Sequence, residues 1–537
     1  MKFSKCGVSL ILSLLVLMAG CGGKSSGSQE GTSDSSAGGT ISYPVKTEVT
    51  LTWWQDFNNN VSPNFTNLGD TPFGKGLQER TGIKITFQHP PSGGANEQFN
   101  LLVADGNLPD IMERNWLNDY PGGPEKAISD GVIIKLNDVI EKYAPNLGAY
   151  LKAHPDIDKM VKTDNGSYYC FPFIRGDPGL LVSRGLIVRQ DWLDELGLPV
   201  PETIDEWYTV LSAFKTKKGS LAPFTFEYTI SGLNDILGFA LAYKAPRTFF
   251  VGEDGKIRFG AVETGRRDYL TTMAQWYKEG LIDPDIASLQ LQQVSAKMTG
   301  NQSGASMGWL GSRLGLWTTA AIGANPNYKL SAAPFPVLRK GDKPLMSSTE
   351  LPYAVNGSAA ITGSCENVEI AARLLDWAYS PEGHMFYNFG IEGESYNLVN
   401  GYPTYTDVIM KNPKGWPVAQ GLGAYVRSVY NGPFVQDIRY FEQYMVLPAQ
   451  KEGYKTWAIE GALKYVLPTI TPTPEESREF AQIMNEINTY RDEMELKFIL
   501  GTENLSGWDN YVSTIQRMGL DRAQAIQEAA LTRYNAR

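Results

Sequence analysis

The sequence predicts an α/β fold, and three observations carry that prediction. Residues 49–113 alternate strand-like and helical segments in the order β-α-β-α-β, the signature of a parallel sheet flanked by helices. A second alternating set restarts near residue 185. The 537 residues are 42% hydrophobic and 20% charged, the balance of a globular chain long enough for more than one domain.

In order, "VTLTWWQ" (49–55) has strand composition and "GKGLQERTG" (74–82) reads as a short helix closed by Gly82. "IKITFQ" (83–88) is a second strand, "NEQFNLLVADG" (96–106) an amphipathic helix ending at Gly106, and "LPDIMER" (108–114) a third strand. Short helical pieces follow around 136–143 and 147–154. "VKTDNGSYYCFPF" places Asn165-Gly166 at a hairpin turn. In the second set, "GLIVRQDWLDELGL" combines strand and helix, and Thr203 with Glu206 forms a capping box that opens "IDEWYTVLSAFK". "APFTFEY", "KIRFGAV" and "GASMGWLG" are strand-like, and "RRDYLTTMAQWYKEG" is an amphipathic helix ended by Gly280. "YKLSAAPFPV" is expected to cross back toward the first lobe. "ENVEIAARLLDWAYSPEGHMFYNFG" reads as two helices separated by a Ser-Pro break. Thr473, Pro474 and Glu476 mark a helix start, followed by one face carrying Phe480, Ile483, Met484, Ile487, Tyr490 and Met494.

The N-terminus has its own logic. Lys2 and Lys5 precede an apolar run from Val8 to Met18, too short to span a bilayer and typical of a secretory signal. Met18-Ala19-Gly20-Cys21 looks like a lipobox, in which the Cys21 thiol takes a diacylglycerol and becomes the first residue after cleavage of 1–20. Residues 21–42 are rich in Gly, Ser and Thr and cannot offset their ordering entropy by burial, so they form a leash. Its root-mean-square reach is on the order of 20–25 Å. Removing Lys2 and Lys5, and no acid, takes the net charge from −10 to −12. An acidic surface without Lys/Arg clusters argues against a nucleic-acid partner. With Cys6 lost and Cys21 acylated, Cys170 and Cys365 remain. A disulfide and two buried thiols are both open, and size favours thiols, since a large domain needs no staple.

Several blocks in one order then carry a resemblance: "EQFNLLVADGNLPDI", "LNDVIEKYAPNLGAYLKAHPD", "IVRQDWLDELGLPVPETIDEWYTVLSAFK", "AQWYKEGLID", "FGIEGESYNLVNG" and "WDNYVSTIQRMGL". The chain resembles the family 1 extracellular solute-binding proteins of ABC importers, and most of all the long subgroup that includes the alginate-oligosaccharide receptors. The resemblance implies a two-lobed, periplasmic-binding-protein-like α/β fold with a ligand cleft between discontinuous lobes. The first lobe would hold 43–172 and 345–415, and the second 173–344 and 416–537. It implies no cofactor, an ABC permease with a separate ATPase as partner, and attachment to the outer face of the cell membrane. One departure stands out. Where the alginate receptors carry a calcium loop, this chain reads "KTKKGSLAPF", with Lys215, Lys217 and Lys218 and no carboxylate, so that metal is not expected here.

Sugar recognition needs aromatic faces for pyranose C–H surfaces and planar polar groups for hydroxyls. Trp53 and Trp54 end the first strand, followed by Asp56, and lie where α/β sheets bind ligands. By alternation only one of the two indoles can face a cleft, and a core position for both is the competing reading. Asn115 and Trp116 follow the third strand. Trp309 and Arg313 match the strand end that presents an aromatic to the sugar in maltose receptors, while Trp317 belongs to the following helix. Arg175, Tyr353 and Glu392 lie near the crossovers or in "GIEGESY", and structural roles compete for each.

Enzyme signatures are weak. His89, His154 and His384 lack metal-ligand spacing, and "GKSSG" satisfies a hydrolase motif only inside the leash. No GxxxxGK[ST] motif occurs, so ATP hydrolysis would fall to a partner. The sequence therefore points to a membrane-tethered receptor that captures an oligosaccharide for import. A receptor for peptide or another polar solute on the same fold is the alternative, and a surface glycan-active enzyme the third reading.

Overall fold

The computed structural model describes residues 42–227, 237–429 and 431–537; the signal segment, Cys21 and nearly all of the leash lie outside them. Chain order gives β1 (Thr50–Trp54), β2 (Lys84–Gln88), β3 (Ile111–Glu113), β4 (Phe171–Arg175), β5 (Arg184–Arg189) and the hairpin β6 (Phe249–Val251) and β7 (Ile257–Phe259). Next come β8 (Ala305–Trp309), β9 (Leu330–Ala333), β10 (Tyr353–Ile361), the hairpin β11 (Tyr396–Val399) and β12 (Tyr402–Tyr405), and β13 (Val435–Gln436).

The first sheet runs β13-β4-β10-β3-β1-β2. Five of its strands are parallel, and β10 alone runs the other way between β3 and β4. The expected β-α-β-α-β unit is present: β1 pairs in parallel with both β2 and β3, through the helices Pro72–Thr81 and Ala95–Asp105. Each helix is stopped by a glycine in the left-handed region, Gly82 at φ 74° and Gly106 at φ 76°, where a side chain would be strained. The Asn165-Gly166 turn also forms, closed by Thr163 N–H donating to Ser167 O at 3.0 Å. It pairs only the isolated bridge Lys162 to Tyr168.

The second sheet is smaller, β8-β5-β9, and antiparallel throughout. The helix Ile204–Lys218 covers it through Trp207, Leu211 and Phe214, all fully buried. Its reciprocal capping box is made as the sequence requires: Glu206 N–H donates to Thr203 Oγ1 at 3.1 Å, and Thr203 N–H to Glu206 Oε2 at 3.2 Å. Two expectations are corrected here. Among the described residues of "APFTFEY" only Phe224 makes ladder contacts, isolated bridges to Ile282 and Ala305, and Tyr228 lies outside them. "YKLSAAPFPV" does not cross back: its residues 330–333 form β9, because the edge of β5 not taken by β8 needs a partner. The crossing comes later, between Ala333 and Tyr353.

Apolar packing gathers around each sheet separately, and it divides the chain differently from a boundary at 415/416. Phe389, Tyr405, Ile409 and Leu422 pack into the core of the second sheet, whereas β13 returns to the first. The helix Leu520–Ala536 touches both cores, with Leu520 and Ala523 in one and Ala530 and Tyr534 in the other. Arg533 from that helix and Arg537, its C-cap, clamp Asp164, each at 2.6 Å. Cys170 and Cys365 are free, buried thiols, and burial pushes both up to about 12.

The helix Pro448–Trp457 lies on the second sheet, where Trp457 is fully buried and its Nε1 donates to Ala333 O at 2.9 Å. It fits because β5 carries Gly185 beneath it: a Cβ there would sit 2.3 Å from the indole. Gly185→Ala is therefore expected to lower stability by about 1–3 kcal/mol through overpacking. Chemical denaturation checks this, and an unchanged midpoint would show that the indole has room to move.

Candidate ligand-binding cleft

The parallel strands of the first sheet end on one side, and their carboxyl ends deliver Gln55 and Asp56 after β1, Arg114 and Asn115 after β3, and Arg175 at the end of β4. Ligands of open α/β sheets sit at such ends. The reversed strand β10 adds a polar group of its own. Its register slips between Ala354 and Ala359, and the bulge presents Asn356. Gly357 in that bulge has φ 80°, and a Cβ on it would lie 2.1 Å from Asn431 Cβ, so only glycine lets the 427–434 loop approach.

That loop is anchored by a buried ion pair. Arg427 Nη2 donates to Glu113 Oε2 at 2.8 Å and its Nη1 to Gln55 Oε1 at 2.5 Å. Burial pushes the Glu113 carboxyl up to about 7, against the pull of the Arg427 charge. Glu113 Oε1 and Gln55 Nε2 find no hydrogen-bond partner among the described residues.

Two cavities meet at this loop. A polar one of ≈ 590 Å³ is lined by Asp56, Glu113, Arg114, Asn115, Asp119 and Asn356, among others. It shares Val429 and Asn431 with a larger cavity of ≈ 890 Å³. The larger cavity takes Phe173 and Arg175 from the first sheet, and Trp309 with the π-type turn Leu310–Gly315 from the end of β8 in the second. Trp416, Tyr440 and Tyr444 add further aromatic surface. Both sheets therefore wall one space, rich in rings and lined at one end by carboxylates and amides.

The structure sorts the residues singled out from sequence. Asp56 and Asn115 line the polar cavity, where Asn115 Nδ2 donates to Asn356 Oδ1 at 3.0 Å. Arg175 and the half-buried Trp309 line the larger one, Arg175 pairing with Glu350 at 2.5 Å. The others are corrected. Trp53 and Trp54 are both 1% exposed, because β1 lies between β2 and β3 and helices cover it on both faces. Trp53 packs on Phe87, and Trp54 Nε1 donates to Gln98 Oε1 at 3.0 Å. Trp116 is also core, edge-on to Phe99. Tyr353 is buried with its hydroxyl 2.8 Å from that of Tyr169. Arg313 is buried and paired with Glu227, as a charge excluded from water must be. Glu392 is exposed in the turn before β11, bridging to Tyr396, and lines neither cavity.

Sequence reasoning missed Asp119, Asn356, Tyr444 and the Arg427–Glu113 pair. The turn signal Asn356-Gly357 was readable; Arg427 carries no local signal at all. Trp416, where the sequence places the start of the second lobe's last segment, had one too, an aromatic among turn residues in "NPKGWP".

The remaining candidates for chemistry are structural. His89 Nδ1 meets Gln55 O at 3.1 Å and its Nε2 accepts from Leu68 N–H at 3.1 Å, the bonds of a neutral ring, and burial lowers its pKa. His154 stacks on Tyr150, and His384 pairs with Asp437. Among the described residues no His, Cys, Asp and Glu group is arranged to hold a metal ion. In "KTKKGSLAPF", Lys215 Nζ donates to Glu279 O at 2.5 Å and Lys218 pairs with Glu195.

Comparison with known proteins places this architecture. Residues 43–385 match the family described as bacterial extracellular solute-binding protein. Over 99% of the chain and 98% of the relative, it is 25% identical to the fructooligosaccharide ABC transporter substrate-binding protein FusA of Streptococcus pneumoniae. Over 84% of the chain and 86% of the relative, it is 25% identical to Lipoprotein LipO of Bacillus subtilis. The crystal structure of the alginate-binding protein AlgQ2 without calcium ion superposes with a TM-score of 0.73 at 26% identity, covering 90% of this chain and 98% of that one. A cleft walled by two α/β lobes and a family match over most of the chain lead to one conclusion: the protein belongs to the bacterial extracellular solute-binding proteins.

Proposed function

We propose that the protein is the receptor of an ABC importer, capturing an oligosaccharide between its two lobes and presenting it to a permease driven by a separate ATPase. The observation that carries this reading is the ≈ 890 Å³ cavity between the two sheets, lined by Trp309, Trp416 and Tyr444 and opening into a polar end. Its size lies within the ~300–1,000 Å³ of small-ligand sites. Indole and phenol rings offer stacking faces, and Asn, Gln, Asp and Arg groups offer planar partners for hydroxyls. A ligand touching both walls binds best when they are close, so it shifts the population toward a closed form by its differential affinity. FusA and AlgQ2, named for oligosaccharides of fructose and for alginate, support the ligand class.

Attachment to the membrane through a lipid on Cys21 is supported by the lipobox Met18–Cys21 and by the likeness to Lipoprotein LipO. The leash would hold the receptor near its transporter and raise its local concentration there.

Three outcomes test this reading. In a thermal-shift screen over glycans and peptides, a glycan at 100 times its dissociation constant should add about 2.7 kcal/mol of stability. Stabilisation by peptides and by no glycan would replace the sugar reading, and shortened glycan products would replace the receptor with an enzyme. Trp309→Ala and Trp416→Ala should each weaken that binding about ten-fold at an unchanged melting temperature, measured by titration calorimetry. Cys21→Ser should move the protein out of the membrane fraction while leaving ligand affinity intact.

A further inference from the structure

Resting on the oligosaccharide reading, we infer that the ligand is a neutral oligosaccharide, recognised through its hydroxyl groups, whose terminal unit enters the polar cavity of Asp56, Asp119 and Asn356. Family membership leaves this open, since FusA is named for a neutral sugar and AlgQ2 for a polyuronate. The charges that line the two connected cavities decide it.

Three cations line them: Arg114, Arg175 and Arg427. Each is already held by a carboxylate, Arg114 by Asp119 at 2.6 Å, Arg175 by Glu350 at 2.5 Å, and Arg427 by Glu113 at 2.8 Å. Four carboxylates line the same space, so Asp56 remains as one acid beyond the three pairs. A uronate would bring a carboxylate on each unit into a cavity whose guanidinium groups are engaged and where Asp56 stands as an acid beyond the three pairs. An ion taken from water without a partner is strongly disfavoured or neutralises itself by taking up a proton.

Hydroxyl groups meet the opposite situation. The polar cavity is rich in acceptors: Asp56 is exposed to it, and Asp119 and the Asn356 amide border it. A carboxylate accepts only, so it rewards ligands that donate. Sugar hydroxyls donate, and hydrogen bonds to an ionised acceptor are roughly twice as strong as neutral ones. Outside the lining, Arg184 and Lys414 sit over the Trp309 and Trp416 rings at 5.3 and 4.9 Å, and Lys451 and Lys455 line a neighbouring cavity of ≈ 640 Å³ that adjoins the cleft at Met410, Phe441 and Met445. Lys455 is itself paired with Glu452 at 3.3 Å.

The test is calorimetric titration of the full chain with glucan, galactan and fructan oligosaccharides and with size-matched oligogalacturonides and alginate oligomers. At least one neutral series should bind more than ten-fold tighter than every uronide, with little dependence on salt, because no ion pair forms. Asp56→Asn should weaken the neutral ligand by about ten-fold, since an amide replaces the charged acceptor at the same volume. A uronide that binds as tightly as the neutral series or tighter, losing affinity as salt rises, overturns the neutral class and leaves the oligosaccharide receptor standing. Peptide binding with neither glycan series bound overturns both.

Discussion

The cleft depends on one buried ion pair. Arg427 stands on the loop that leaves the helix Val418–Tyr425 and reaches the carboxyl ends of β1 and β3 through Gln55 and Glu113. That contact ties the start of the loop to the first sheet, and Phe434, whose carbonyl accepts from Ile174 N–H at 3.0 Å, ties its end. The loop supplies Val429 and Asn431, the residues common to the polar cavity and the larger one. A buried charge pair is a weak source of stability, because desolvation offsets most of the attraction, but leaving one member alone is costly. The pair therefore acts as a positional constraint, and the bulge glycine that admits the loop completes it.

Around this anchor the two sheets play different parts. The parallel strands bring loops to one edge and fill it with Asp, Asn and Arg side chains. The antiparallel sheet ends β8 at Trp309 and continues into a π-type turn, which places an indole and a backbone edge opposite them. Aromatic surface and polar acceptors thus come from separate cores, and a ligand that needs both must touch both. Continuity between the cores is provided by the crossing segments and by the helix Leu520–Ala536, whose two ends pack into different sheets. This division of labour is what allows binding to be coupled to movement of one lobe against the other.

Much of the fold was legible because local rules carried it. Gly82, Gly106 and Gly197 stop their helices in the left-handed region, and the Thr203 and Thr473 capping boxes form with both reciprocal bonds. The site was legible only in part. Asp56 and Asn115 were found from their place after parallel strands, whereas Trp53, Trp54 and Trp116 share that place and are core. Position along a strand reports which edge a residue lies near; it does not report whether a helix covers its face. Arg313 shows the same limit, since only its partner Glu227, far away in sequence, marks it as buried.

By itself the sequence determined the α/β class, the order of the early elements, the ends of several helices and the signal-like start with its cysteine. These follow from residues within a few positions of one another, where caps, turns and periodicity act. Tertiary structure alone decided that β9 pairs with β5, that β13 returns to the first sheet, which aromatics face the cleft and which arginines are already paired. Each of those depends on contacts between residues tens to hundreds of positions apart, as Gln55 and Arg427 are, and no local pattern encodes which distant group will arrive.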